Sequence, residues 1–590
     1  MDNLPPVLDP RIYRAGFLPI LFALVLAGFS LREPPRPLTT SLAPDAFDGA
    51  AAFRQLDQLA AEAPSRRPGS AGDGRVAQHV RQTLEENGFR VRVDRFGAQT
   101  VDGERELQTV TGERTGFSNR RILVIAHRDA LGRGARAELS GTAALLELAR
   151  VLGGRTLRRT LVLASTSGGT AGLAAAERLA RTAGGPVDAV LVLGDVAGTR
   201  TDRPLVVPWS QSTALAPLEL RRTVEGALMS EAGLRTGTVR PGVQLARLAF
   251  PLTLGEQGPF DARGIGAVLL SASGERAPAA NAPVSAARLT AFGRAALRSI
   301  GALDDGGDVP ASTSYLTLER KVLPAWSIRL LAIALLLPVL LAAVDAFARV
   351  RRRRESVGMW LRWVLANAVP FVLAAVTAVA LFRTGLLDAA PVTPVAGTAN
   401  APNAAVFVSV AVLGALAWFG VRPLLARWLS VRGEPERGAA ATAIVLVLCA
   451  MVLIVWTVNP YASLLLIPAL HLWLLAMAPE THLRRPAGLA LWAIGLVPPL
   501  LVAYAYGRQF GLDPLELAWM LTLLVAGGGV SPAAVFVWSV VLGCTASALI
   551  VVLRMTGAGH PDVATPITVR GPKTYAGPGS LGGTESALRR

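Results

Sequence analysis

Eight apolar stretches crowd the second half of the chain, at about 328–348, 359–382, 405–421, 439–458, 462–478, 487–506, 515–530 and 533–553. Most of them approach the roughly 20 residues that a helix needs to cross a bilayer, which leaves this half little choice of fold. In hydrocarbon a backbone satisfies its own polar groups only as helices or as a closed barrel, and runs this long specify helices. Composition agrees, since 52% hydrophobic and 17% charged residues lie outside the range of an ordinary soluble protein. A further run, Ala15 to Leu31, follows Arg11 and Arg14. We read it as an uncleaved anchor, because no small-x-small cleavage site precedes the Pro-rich REPPRP; a signal peptide would share its other features.

Charge sets the orientation. The run Arg349, Arg351, Arg352, Arg353 and Arg354 directly follows the first apolar stretch after residue 328, and such a cluster marks the cytoplasmic side. The soluble segment before it is therefore expected outside the cytoplasm, in a protein integral to a bacterial plasma membrane. Arg422, Arg427, Arg432 and Arg437, and then Arg484 with Arg485, fall on the cytoplasmic side in the same alternating count. Beyond GGGVSP, which fits a tight turn or a re-entrant break equally, the side of the basic tail stays open. The net charge of +17 is almost wholly arginine placed beside apolar segments, so it orients the chain in lipid, and nucleic acid is not an expected partner. Both cysteines, Cys449 and Cys544, lie in apolar runs, which leaves the soluble segment without a disulfide framework.

These boundaries divide the chain into a cytoplasmic tail (1–14), an anchor (15–31), a linker (32–44), a soluble domain (45–305), a second linker (306–327), an all-α polytopic membrane module (328–553) and a basic tail (554–590). In the soluble domain the apolar runs RILVIAH, RTLVLAST, VDAVLVLGD and GAVLLS alternate with helix-like stretches such as GTAALLELARVL and SAARLTAFGRAALRSI. Short Val/Ile/Leu runs between amphipathic helices predict an α/β sheet covered on both faces. The site of such a sheet is expected at the carboxyl ends of its strands.

RILVIAH ends in His127, Arg128 and Asp129, and GARAELSGTAALLELAR follows. With RRPGSAGD upstream and GEQGPFDARGIGAVLLS downstream, the domain resembles peptidase family M28, the di-zinc aminopeptidases with a mixed-sheet, phosphorylase/hydrolase-like fold. The arrangement of anchor, peptidase domain and polytopic module is similar to the endoplasmic-reticulum metallopeptidase branch. The resemblance implies two zinc ions, a bridging carboxylate and a carboxylate base that activates their shared water. It assigns His127 as a first zinc ligand, with Asp129 behind it to orient the imidazole, and Asp195 in VLGDVAG as another ligand. The bridge position reads Ala137, with Glu138 adjacent but expected to point elsewhere. GGTAGL stands where the family has GEExGL, which puts Gly169 at the general base and Thr170 at a ligand. The final histidine is replaced by Gln257, preceded by Glu256.

One zinc site thus keeps two ligands and the other keeps none, so the resemblance implies no metal, or at most one zinc, and no catalytic base. The reading that follows is a non-catalytic peptidase homologue that binds a peptide, a protein or its own membrane module. One alternative is a mono-metal peptidase that recruits Glu138 or Glu256 as a ligand. Another is a transporter or assembly factor whose function sits in the membrane module, with the soluble domain as lid or receptor. His127 and Asp195 are read first as remnants kept by local packing and hydrogen bonding, with residual metal binding as the alternative, and His79 as an exposed helix residue. STSGGTAG lacks the pattern of a serine-nucleophile elbow. Asp345, Arg362, Asn459, His471 and Glu516 are read as structural or orienting groups near segment ends. The oligomeric state is open.

Overall fold

A computed structural model describes residues 10–41, 43–170, 172–387, 402–431 and 437–554. Arg432, most of the N-terminal tail and the basic tail beyond Arg554 lie outside the described residues.

The soluble domain is built on a seven-stranded mixed sheet: β1 (Arg90–Thr100), β2 (Gly103–Arg114), β3 (Ser118–His127), β4 (Arg159–Thr166), β5 (Val187–Leu193), β6 (Val206–Val207) and β7 (Ala267–Leu270). Their spatial order is β1-β2-β4-β3-β5-β7-β6. The four apolar runs form the parallel centre, β4-β3-β5-β7, and the antiparallel strands lie outside them. Register carries His127 opposite Thr166, so the ends of β3 and β4 deliver their loops to one place.

Alternation along these strands sorts the core into two layers. Ile122, Val124 and Ala126 of β3, with Leu161 and Leu163 of β4 and Leu191 of β5, face one side. There they pack under helices Gly49–Glu62, Arg136–Gly153, Leu218–Ala232 and Ala286–Asp305. Leu123, Ile125, Val162, Ala164, Val190 and Val192 face the other side, where the layer is thinner. Helices Ala174–Thr182 and Pro241–Ala249 cover it, and the same cluster of buried residues runs on into Tyr461, Leu465, Tyr506 and Phe510. The second face of the domain is therefore closed by the membrane module.

Among the described residues seven helices are long and apolar enough to cross a membrane, or eight if the pair Arg485–Gly495 and Val497–Phe510, bent by 42°, is one span. They bury a core of their own around Trp360, Trp363, Cys449, Leu470 and Cys544. Two stretches differ from their sequence outlines. The 405–421 stretch continues through a five-residue π-helical turn, Ala417–Val421, to Trp428. The 515–530 stretch forms a helix of only 13 residues, Pro514–Ala526, too short to span by itself.

The N-terminal run is a packed member of the bundle. Ile20 and Ala23 lie against Ala334, Ser30 Oγ is 2.6 Å from Ser327 Oγ, and Tyr13 hydroxyl is 2.7 Å from Nδ1 of His471, whose Nε2 lies 2.9 Å from the Leu335 carbonyl oxygen. The other polar groups singled out in the sequence also have partners: Asn459 caps helix Pro460–Met477 and donates to the Leu248 and Ala249 carbonyls. Asp345 accepts from Arg349 at 2.7 Å, Arg362 donates to the Gly358 and Leu429 carbonyls, and Glu516 closes a capping box with Asp513.

Candidate functional site

The loops leaving β3, β4 and β5, the start of helix Arg136–Gly153 and the turn before the short helix Gly258–Asp261 converge on one pocket of about 60 Å³. His127, Glu138, Thr170, Asp195, Glu256 and Glu275 contribute its polar lining. It sits at the carboxyl ends of parallel strands, where a helix-covered sheet leaves a crevice.

His127 lies 3.7 Å, through Nδ1, from Oε2 of Glu256, an ion contact longer than a hydrogen bond, and its Nε2 is buried without a partner. Burial acts against its charge, but Glu256 and the more distant Asp129 and Glu138 outweigh it and push the imidazole up to about 9. Asp129 does not hydrogen-bond His127. Its Oδ1 accepts from Gly169 N at 3.0 Å, and its Oδ2 from Thr170 N at 3.1 Å and Thr170 Oγ1 at 2.5 Å. The carboxylate that would orient a ligand instead ties down the turn after β4. Asp195 is engaged through one oxygen, its Oδ1 accepting from Ala197 N at 3.2 Å and Gly198 N at 2.6 Å, while burial raises its pKa to about 6.

Gly169 has no room for a side chain. A Cβ placed on it would stand 2.5 Å from His127 Cβ and 3.2 Å from Glu256 Cδ. Glu256 fills that space and is anchored by Thr166 Oγ1, which donates to its Oε1 at 2.6 Å. Ala137 is buried, with its carbonyl accepting from Ser140 Oγ at 2.5 Å. Gln257 is turned away from the pocket, its Nε2 donating to the Trp209 carbonyl at 2.9 Å and to Thr253 Oγ1 at 3.0 Å. His79 is half-buried beside Gln55, far from the pocket in the fold, on helix Ala71–Glu86.

Glu138 does reach the pocket. It lies in the first turn of its helix, where one residue advances the direction by about 100° rather than reversing it, so a long side chain next to Ala137 still borders the same space. Burial lifts its pKa to about 7, against the attraction of His127. Oε2 of Glu138 and Oε2 of Glu256 are both buried without a hydrogen-bond partner.

Two buried arginines beneath the site escaped the sequence reading. Arg128 pairs with Asp73 at 2.8 Å and donates to the carbonyls of Ser165 and Gln108. Arg66 donates to the carbonyls of Ala63, Arg128 and Ala135. Arg66 and Asp73 both belong to the RRPGSAGD stretch, which was the available signal. These arginines knit the first loop to the ends of β2, β3 and β4.

The residues present do not fit a pair of zinc ions. Two of the carboxylates hold backbone amides, the base position lacks space, and among the described residues no three His, Cys, Asp or Glu side chains are grouped so as to hold a metal.

Residues 109–233 match Peptidase family M28. No curated protein sequence matches the chain. Among solved structures the chain is similar to a zinc aminopeptidase from Bacillus subtilis, at 11% identity over 46% of this chain and 95% of that one, with a TM-score of 0.35. It is similar to the LapA aminopeptidase of Legionella pneumophila at 15% identity, over 45% of this chain and 74% of the other, with a TM-score of 0.34. A glutaminyl cyclase of Porphyromonas gingivalis is 18% identical over 43% of this chain and 98% of its own length, with a TM-score of 0.32. The matched residues 109–233 hold β3, β4, β5 and the loops that follow His127 and Asp195, so the similarity to Peptidase family M28 falls on the part of the α/β domain that builds the pocket.

Proposed function

We propose that this is a membrane-integral, non-catalytic relative of the M28 peptidases, which uses the old cleft outside the cytoplasm to bind a peptide or protein. The observation that carries the reading is at Gly169: the place of the catalytic base is filled by His127 and Glu256, so no carboxylate fits there. Asp129 and Asp195, spent on backbone amides, support it. Without a base to take a proton from water, the hydrolytic step loses a contribution of about 10²–10⁴ in rate. The arginine run Arg349–Arg354, which begins in the last turn of helix Ala325–Arg352, supports the placement of the soluble domain outside the cytoplasm.

One observation favours a second reading. His127 Nε2, Glu138 Oε2 and Glu256 Oε2 are buried without partners around a single pocket, and unpaired buried acceptors are costly enough to invite a cation. A single metal held by rearranged side chains would satisfy them. Metal analysis by mass spectrometry separates the two. It uses the full chain in detergent, because one face of the soluble domain is closed by the membrane module. Less than about 0.1 zinc per chain after loading and dialysis is expected for the binding protein. About one zinc, lost in His127→Ala and Glu138→Gln, would overturn that reading in favour of the mono-metal enzyme.

A further inference from the structure

The wall of the pocket opposite His127 is the segment from Ser271 to Pro278, and its two charged residues are bound to a membrane helix. Glu275 is buried and accepts from Arg247, from Thr253 Oγ1 at 2.5 Å and from Gln509 Nε2 at 3.3 Å. Arg247, itself buried, also donates to Gln509 Oε1 at 3.0 Å. Its guanidinium lies over three rings: Trp209 at 5.5 Å, Tyr506 at 4.9 Å and Phe510 at 5.0 Å. Arg276 donates to the backbone carbonyls of Arg508 and, at 2.7 Å, Gln509. Those carbonyls are at the end of helix Val497–Phe510, where acceptors lack partners within the helix and a cation is favoured by the helix dipole. Arg276 then packs on Gly511, whose positive φ of 69° turns the chain away at that point.

Two features make this contact more than a brace. The pocket's 60 Å³ is below the roughly 150 Å³ of a cavity that takes benzene, so a bulky side chain of a peptide is fully enclosed only if a wall moves. The helix gripping the Ser271–Pro278 wall is the outer half of the bent pair, with the 42° bend at its base. The bend lies at Gly495–Val497, directly before Pro498 and Pro499, whose missing amide hydrogens interrupt the helix's own hydrogen bonds and leave the two halves joined by a weakened turn.

We propose that the Ser271–Pro278 segment is a gate and that the Tyr506–Gly511 end of the bent membrane helix is its latch, so that displacement of this helix opens the cleft of the soluble domain. Arg247, Arg276 and Gln509 are positioning residues in this device. The membrane module thereby governs access to the pocket, whether the pocket binds or catalyses.

The test needs no knowledge of the ligand. Both native cysteines are buried in the membrane module, so Ser271→Cys, a buried pocket position, serves as a reporter in the full chain. Its rate of modification by a small methanethiosulfonate reagent is compared with and without Arg276→Ala, and with the milder Gln509→Ala should the first variant misfold. Ser299→Cys, buried in helix Ala286–Asp305 on the other face of the sheet, reports general loosening. The expected result is a rise of about tenfold at Ser271→Cys and no change at Ser299→Cys. An unchanged rate at Ser271→Cys, or a parallel rise at both positions, overturns the gate.

Discussion

Gly169 and His127 are packed so tightly that a Cβ on Gly169 would stand 2.5 Å from that of His127. The glycine is therefore a condition of the present arrangement of His127 and Glu256, and putting a side chain back is expected to disrupt the site. Gly169→Ala should cost about 1–3 kcal/mol through overpacking. Gly169→Glu should cost at least as much and add no peptidase activity. Thermal unfolding of the purified full chain, with a peptide-library assay beside it, checks both. Activity in Gly169→Glu would show that the pocket can still accommodate a base.

The ionisable groups of the pocket make stability depend on pH in one direction. His127 is raised from an ordinary 6.5 to about 9, so the stability its charge confers is fully present below 6.5 and is lost as pH rises toward 9. Glu138, raised by burial from 4.5 to about 7, favours the folded state while protonated, and that contribution is lost between those values. The melting temperature should therefore fall between pH 5 and pH 9, and the fall should be shallower in Glu256→Gln, which removes the main partner of His127. A melting temperature that rises across this interval would contradict the assignment.

How much of this could be read from the chain follows from how each element is buried. The parallel strands are sealed on both faces, so they appear as unbroken apolar runs. β1 and β2 are half-exposed and rich in Arg, Glu and Thr, and nothing in their composition sets them apart from loop. Each departure from the family pattern at Ala137, Gly169, Thr170 and Gln257 was visible in sequence. The placement of Glu256 over Gly169, the commitment of Asp129 to the turn and the arrival of Glu138 in the pocket depend on side-chain packing. Arg247, Glu275 and Arg276 look like ordinary surface charges, because their partner Gln509 is more than 230 residues away.

Arg159 shows how the end of the soluble domain is secured. It is buried on β4, pairs with Asp188, and donates to the carbonyls of Leu303, Asp304, Gly306 and Gly307, while Asp304 accepts from the backbone amides of Arg158 and Arg159. One side chain thus holds the carboxyl end of the last helix against the central sheet. Arg159→Met should cost about 3–5 kcal/mol, since it removes one of the two partners of a buried carboxylate and leaves several carbonyls unpaired. Arg120, which also reaches Asp188, should hold the loss to the lower part of that range. Denaturant titration of the full chain, followed by the accessibility of a Ser299→Cys thiol buried in helix Ala286–Asp305, measures it.

The 13-residue helix Pro514–Ala526 bears on the side at which Arg554 lies. At 1.5 Å per residue it covers about 20 Å, short of the roughly 30 Å of hydrocarbon. It begins just after Gly511, which touches Arg276 of the soluble domain. The helix that follows it, Pro532–Leu553, places Trp538 with its ring 5.1 Å from that of Phe250, also of the soluble domain. Both ends of the short helix are thus on the soluble-domain side, and it lies along that surface. The 22 residues of Pro532–Leu553 then suffice for one complete crossing. With the bent pair as one span the described residues hold eight candidate crossings, an even count that would return Arg554 to the side of Arg349–Arg354. In intact cells a membrane-impermeant thiol reagent should label Ser531→Cys and should reach Arg554→Cys only after permeabilisation. Labelling of both without permeabilisation would require Pro514–Ala526 to contribute to a crossing, and Arg554 would then lie with the soluble domain.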